Sequence, residues 1–203
     1  GNTDVYGNDS VWQRSYGALG AKSVGKWYYE YKCTSMNNGN NRLGWDSIDL
    51  INEGDDNYYS GLTLDGNGEL RGGVRGYGNY DPNAVQMTQA YSGGNFSYGA
   101  NDYLGMAIDL DNQTISVYKN GNLEINAYSY SGASNCSVLK SRGHFISPSV
   151  NFYSNSGNVN AGQFNFGNGA FGNTQLTGTT YQDSNGQGVF KYQPPTNYLA
   201  WCT

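Results

Sequence analysis

Charge is scarce in this chain. Asp, Glu, Lys and Arg make up 13% of its 203 residues, about half the share of roughly 25% usual in globular domains. Only 11 residues are Lys or Arg, against 16 Asp or Glu, for a formal net charge of −5. Nucleic acids and anionic membrane surfaces are bound through clustered basic side chains. The balance therefore excludes nucleic acid as a partner class and excludes a polybasic membrane anchor. No run of 18 apolar residues exists, so no helical membrane span is predicted, and no membrane insertion is expected. No charged-then-apolar leader pattern occurs at the N-terminus. Histidine occurs once, as His144 beside Phe145, which leaves a Ser-His-Asp or Cys-His relay one poorly placed base. The three cysteines, Cys33, Cys136 and Cys202, are widely spaced and form no Cys-x-x-Cys pair, so zinc-site spacing is missing. Buried free thiols are the simplest reading of them. Neither a P-loop Gly-Lys-Ser/Thr nor a helix-opening GxGxxG is found.

What is present is turn and strand chemistry. There are 30 Gly and 19 Tyr, and aromatics reach 15%. Tyr suits a half-buried pleated surface, and Gly and Asn supply the positive-φ positions of tight turns. The composition predicts many short strands joined by many turns, with loops of Tyr, Asn, Ser and Gly, the mix that adaptable binding surfaces use.

Helical periodicity is missing, and alternation dominates. Lys26 to Cys33 predicts a strand with Trp27, Tyr29, Tyr31 and Cys33 on the core face and Tyr28, Glu30 and Lys32 on the other. Arg42 to Asp46 predicts a short strand with Leu43 and Trp45 together. Tyr58 to Leu64 and Glu69 to Val74 predict a hairpin closed by Asp65-Gly66-Asn67-Gly68. Leu104, Met106, Ile108 and Leu110 alternate inward, Ile115 and Val117 return, and Asn120-Gly121 is a type I′ turn signal. His144 to Phe152 predicts a strand entered through Pro148, and Val159 to Phe166 another. The aromatic tail from Val189 to Trp201, interrupted by Pro194-Pro195, is expected to fold back on the body. Counting gives ten to thirteen strands in one β-sandwich domain over residues 1–203, with no linker and no internal repeat.

Catalytic chemistry has little to stand on. Glycoside hydrolases need two neighbouring carboxylates, and Glu30, Glu53, Glu69 and Glu124 are each isolated. The acidic stretches at Asp55-Asp56, Asp65 to Glu69 and Asp109 to Asn112 lack the EF-hand pattern and read as polar turns. No metal and no cofactor is expected. Four Asn-x-Ser/Thr sequons, at Asn8, Asn95, Asn112 and Asn135, are what so Asn-rich a composition produces by itself.

The order of segments carries a resemblance. Gly25-Lys26-Trp27-Tyr28-Tyr29-Glu30, Arg42-Leu43-Gly44-Trp45, Asp102 to Asp111, Ile115 to Gly121, and Phe145 to Val150 with Phe164-Asn165-Phe166-Gly167 follow one another as in the SPRY domain family. The closing Phe190 to Cys202 segment is similar to tails on SPRY-like proteins of bacteriophages. The resemblance covers about residues 25–167, with residues 168–203 as a tail. It implies an all-β, concanavalin-like jelly-roll sandwich of two antiparallel sheets, no catalytic residues, and binding through loops at one edge. The segments Asp46 to Tyr58, Arg75 to Tyr98 and Ala127 to Arg142 would flank that edge.

Aromatics with nearby polar groups can stack on sugars or anchor peptides. Tyr58, Tyr59, Tyr77, Tyr80 and Tyr91, with Arg71 and Arg75 close by, are the candidate partner-contact residues. The function expected is a non-catalytic interaction module. Its setting would be the surface of a phage virion, as a tail, fibre or capsid-decoration protein, with other virion proteins or a host surface receptor or glycan as partners. The alternatives are a carbohydrate-binding module and a cellular adaptor that binds a short peptide.

Overall fold

A computed structural model of the chain describes residues 4–7, 13–17, 20, 22–36, 41–47, 59–75, 88–91, 96–130, 145–153 and 159–202. In chain order its strands are β1 (Asp4–Gly7), β2 (Gln13–Tyr16), β3 (Lys26–Ser35), β4 (Asn41–Ser47), β5 (Tyr59–Asp65), β6 (Leu70–Arg75), β7 (Thr88–Tyr91), β8 (Tyr103–Asp109), β9 (Thr114–Lys119), β10 (Asn122–Ser129), β11 (Ile146–Phe152), β12 (Asn160–Asn165), β13 (Ala170–Phe171), β14 (Thr174–Gln175) and β15 (Leu199–Ala200). The first sheet runs β1-β12-β3-β8-β9-β10, with β15 also on β3. The second runs β2-β11-β4-β5-β6-β7. A small β13-β14 ribbon stands apart. Every pairing within the two sheets is antiparallel except β15 with β3. Among the described residues there is no helix. The chain is an all-β sandwich of two antiparallel sheets.

The hydrophobic core fills the space between the sheets. Tyr29, Tyr31 and Cys33 of β3 meet Leu43 and Trp45 of β4 and Leu62 and Leu64 of β5, all fully buried. Tyr29 and Trp45 make an edge contact at 5.2 Å between the sheets, a favoured geometry for aromatic pairs. The buried tyrosines keep hydrogen-bond partners, as buried hydroxyls must. Tyr29 donates to the Gly44 carbonyl at 2.7 Å, Tyr98 donates to the Asn41 carbonyl at 2.7 Å, and Asn41 donates to the Tyr31 oxygen at 3.0 Å. Trp27 sits at the margin of the core, half-buried.

The turns follow their chemistry. Asn120 and Gly121 have φ of 51° and 85°, the two positive values a type I′ hairpin needs. Asp109 accepts from the Asn112 backbone at 2.9 Å and side chain at 2.7 Å and pairs with Lys26 at 2.9 Å, which caps the β8-β9 turn. Asp65 closes the β5-β6 hairpin, its carbonyl accepting from Gly68 at 2.9 Å.

Three expectations need correction. Pro148 is not at a strand entrance but inside β11, opposite Trp45 of β4. Its carbonyl accepts from Gly17 at 2.8 Å. In an antiparallel strand a residue's carbonyl and amide face the same neighbour, so the missing amide faces the end of β2 and the β4 ladder loses nothing. Cys202 is exposed rather than buried, because Trp201 takes the core position and alternation turns the next residue outward. The strands number fifteen among the described residues, more than ten to thirteen, because the segment beyond β12 adds three two-residue pieces.

That segment forms a third layer. Residues 190–200 cross the outer face of the first sheet. β15 runs parallel to β3 at Trp27 and Tyr28, on the edge that β12 occupies further along. Phe190 and Ala200 pack with Tyr28 and Ala107 in a second buried cluster. Trp201 enters the main core and meets Trp27 at 5.9 Å. Strand β3 is therefore buried on both faces.

Candidate functional site

The sequence-chosen residues fall on the second sheet or outside the described residues. Tyr59 of β5 and Arg75 of β6 are backbone partners, Arg71 lies opposite Thr63 and Gln89, and Tyr91 of β7 lies opposite Leu70. The backbone thus brings four of the seven onto three adjacent strands at one edge of that sheet. Tyr58, Tyr77 and Tyr80 lie outside the described residues, as do most of the three segments expected to flank the binding edge, and Cys136 and His144.

Towards β4 and β11 the outer face of the second sheet is polar and buried. Asp46, Thr63, Ser147, Ser149 and Asn151 are at most 2% exposed. Arg42 pairs with Asp65 at 2.9 Å, and Ser147 donates to the Gly17 carbonyl at 2.7 Å. Gly44 allows β4 and β5 their close approach, since a Cβ would lie 2.0 Å from the Leu62 carbonyl oxygen.

The outer face of the first sheet is organised around Glu30. Its carboxylate accepts from the backbone of Lys191 at 2.9 Å and Tyr192 at 2.8 Å, from the Asn165 amide at 3.0 Å, and from the Tyr28 hydroxyl at 3.5 Å. Burial pushes the carboxyl up to about 7, against the opposing pull of those four hydrogen bonds. A carboxyl near 7 suits general acid-base work, but this one is fully buried behind residues 190–192 and both oxygens are engaged. Glu30 is an anchor for the third layer. Asp183 is a second anchor, accepting from Asn185 and Gln187 through one oxygen and from Ala200 at 2.8 Å through the other.

Two features of the first sheet remain open to solvent, one on this outer face and one at the end of its core-facing side. One is a cluster centred on Tyr103, which has edge contacts with Phe171 at 5.1 Å and Tyr192 at 6.1 Å. The Lys191 ammonium lies 4.8 Å from the Tyr103 ring centre and 5.5 Å from that of Tyr192, and the Lys32 ammonium lies 5.6 Å from that of Tyr103. The other is an open groove of about 410 Å³ lined by Phe96, Ser97, Lys119, Asn120, Asn122 and Glu124. Lys119 is tied to Asp102 at 3.2 Å, and Asn120 bonds both Asp102 and the Tyr103 backbone. Sequence reasoning misses the Tyr103 cluster. The alternation of β3 places Lys32 outward, but nothing local says that Lys191 returns to meet it.

The Cys33 thiol is poorly suited to chemistry. Burial pushes the Cys33 thiol up to about 12, and a thiol held that high is a poor nucleophile at neutral pH. Among the described residues no group of three or more His, Cys, Asp or Glu is placed to hold a metal ion.

No family profile matches the chain, and no curated protein matches it by sequence. Solved structures do match, 143 chains in all. Among them is the SPRY domain of human HERC1, 16% identical, matched over 80% of this chain and 87% of that one with a TM-score of 0.50. At that identity the likeness concerns the backbone alone, and what it establishes is that this chain has a SPRY-like β-sandwich fold.

Proposed function

We propose that the chain is a non-catalytic interaction module that binds a protein partner, and that it works at the surface of a bacteriophage particle as a tail, fibre or capsid-decoration protein. The observation that carries the interaction part is the SPRY-like sandwich, matched over 80% of the chain. The position of Glu30 supports it: among the described residues, the buried carboxyl raised toward neutrality is fully used in holding residues 190–192. The virion part rests on the Asn-, Gly- and Tyr-rich composition and on the Pro-Pro tail. Mass spectrometry and electron microscopy of purified source particles test it. Peptides of this chain and density for it at a defined position support the virion reading. Their absence from washed particles removes that reading and leaves the interaction module to be tested on cellular partners.

A second reading is favoured by the groove beside the β9-β10 turn. Asn122 and Glu124 lie in it beside the half-buried Phe96, a combination of amide, carboxylate and ring that can hold a sugar. A host surface glycan would then be the ligand, and a glycan array read with Glu124→Ala as control separates this case.

A further inference from the structure

We infer that the Tyr103 cluster on the outer face of the first sheet is a recognition site for an extended acidic segment of a protein partner. The inference rests on the interaction-module reading above and names the chemistry of the partner.

Among the described residues, the cluster holds two cations without counter-charges. Lys26, Arg42 and Lys119 are each paired with an aspartate. Lys32 and Lys191 instead have their ammonium groups against aromatic rings, in a chain with 11 basic residues and a net charge of −5. An ammonium left without a carboxylate yet held over a ring is attracted by the ring's negative face. That contact restrains a flexible lysine in advance, which lowers the entropy cost of binding.

The fold fixes the arrangement from three directions. Lys32 and Tyr103 are direct partners across β3 and β8. Lys191 is brought over the same ring by its own backbone amide, which donates to Glu30. Tyr192 rests on Gly121, where an added Cβ would lie 2.7 Å from the ring. All four side chains are partly exposed, so a ligand can reach them.

The geometry favours charge recognition over ring stacking. A sugar needs a bare aromatic face, whereas the Tyr103 ring carries ammonium groups and meets Phe171 and Tyr192 edge-on. Both ammonium groups lie over one ring, so they are at most about 10 Å apart. In an extended chain, carboxylates two residues apart on the same side are about 7 Å apart, a spacing two such lysines can span.

The test is titration of the full chain with a synthetic peptide of alternating Glu and Ser, followed by NMR shifts and calorimetry. Its Gln-for-Glu analogue and a glucuronate oligosaccharide serve as comparison ligands. Shifts are expected at Lys32, Tyr103, Lys191 and Tyr192 with the acidic peptide and none with the Gln analogue. Lys32→Gln with Lys191→Gln weakens binding at least tenfold, Arg at both positions retains it, and Lys26→Gln, which removes the same kind of charge elsewhere, changes it less than twofold. Three results overturn it: no binding of the acidic peptide, equal binding by the double Gln variant, or tighter binding of the glucuronate through the same lysines. If the double Gln variant still joins its natural partner with unchanged affinity, this site is wrong while the interaction module stands.

Discussion

At the scale of single residues, Glu30 has the widest consequences. Its ordinary value of 4.5 rises to about 7 in the folded chain because burial outweighs the four hydrogen bonds it accepts. The folded state therefore holds this proton more tightly than the unfolded state, and folding takes up a proton between those values. Stability from this group is complete below about 4.5 and is lost as pH rises through about 7, by about 3 kcal/mol in all. Asp102 and Asp109 act in the opposite sense. Burial raises each, but hydrogen bonds and a lysine, Lys119 or Lys26, outweigh it and hold both below the usual 3.8. Their contribution is present above that value and fades in stronger acid. Urea midpoints are thus expected to be higher at pH 5 than at pH 8, and Glu30→Gln is expected to flatten the difference. An unchanged slope in that variant would assign the effect to another group. Gly44 gives a second test at this scale. A methyl there meets the backbone of the neighbouring strand at 2.0 Å, which cannot turn aside as a side chain can. Gly44→Ala is expected to cost about 1–3 kcal/mol by overpacking, measured by chemical denaturation.

At the scale of elements, β3 shows how far alternation can be read and where it stops. The period-2 pattern of Lys26 to Cys33 identifies Tyr29, Tyr31 and Cys33 as core, and the structure buries all three. The β8-β9 pair and the Asn120-Gly121 turn are legible for the same reason: period and turn chemistry are local. Tyr28 and Glu30 are legible only as facing away from the core. What covers them comes from residues 190–200, more than 150 positions later, and no local pattern encodes that contact. The Tyr103 cluster escapes a sequence reading for the same reason, since one of its lysines lies in β3 and the other in the tail. The seven candidate residues stand out by their place near Gly-rich loops. Of them, Tyr59, Arg71, Arg75 and Tyr91 do share three neighbouring strands; the hairpin signal accounts for Tyr59 and Arg71, whereas β7, which carries Tyr91, lies in a segment expected to be a loop. Pro148 shows a further limit, because strand position follows from which neighbour its polar groups face. The third layer itself is testable. Trp201 is fully buried in the main core and touches Trp27, and removal of a core tryptophan side chain costs about 3–5 kcal/mol. Trp201→Ala is expected to show that loss in equilibrium unfolding. A loss under about 1 kcal/mol would mean that the segment is an appendage and not part of the folding unit.

At the scale of the whole molecule, the two sheets have different outer faces. That of the second sheet is buried and polar at Asp46, Thr63, Ser147, Ser149 and Asn151. That of the first is closed by residues 190–200, which leave the Tyr103 cluster at their border. The far edge of the first sheet is also guarded. β10 has two register shifts against β9, and Ala127 has φ of 44°. Bulges of this kind twist an edge away from further strand pairing. An open sheet edge is therefore a poor docking place at β10, and the recognition proposed above is left to side chains. Those side chains are the proposed protein-binding surface.

Cross-linking mass spectrometry on purified source particles that carry the full chain, using an amine-reactive linker, is the test of that proposal. The expected result is reproducible links from this chain to one protein species, with Lys32 and Lys191 among the linked sites and acidic stretches of the partner beside the other end. A chain found only with links to itself, in particles and in host extract alike, would contradict it.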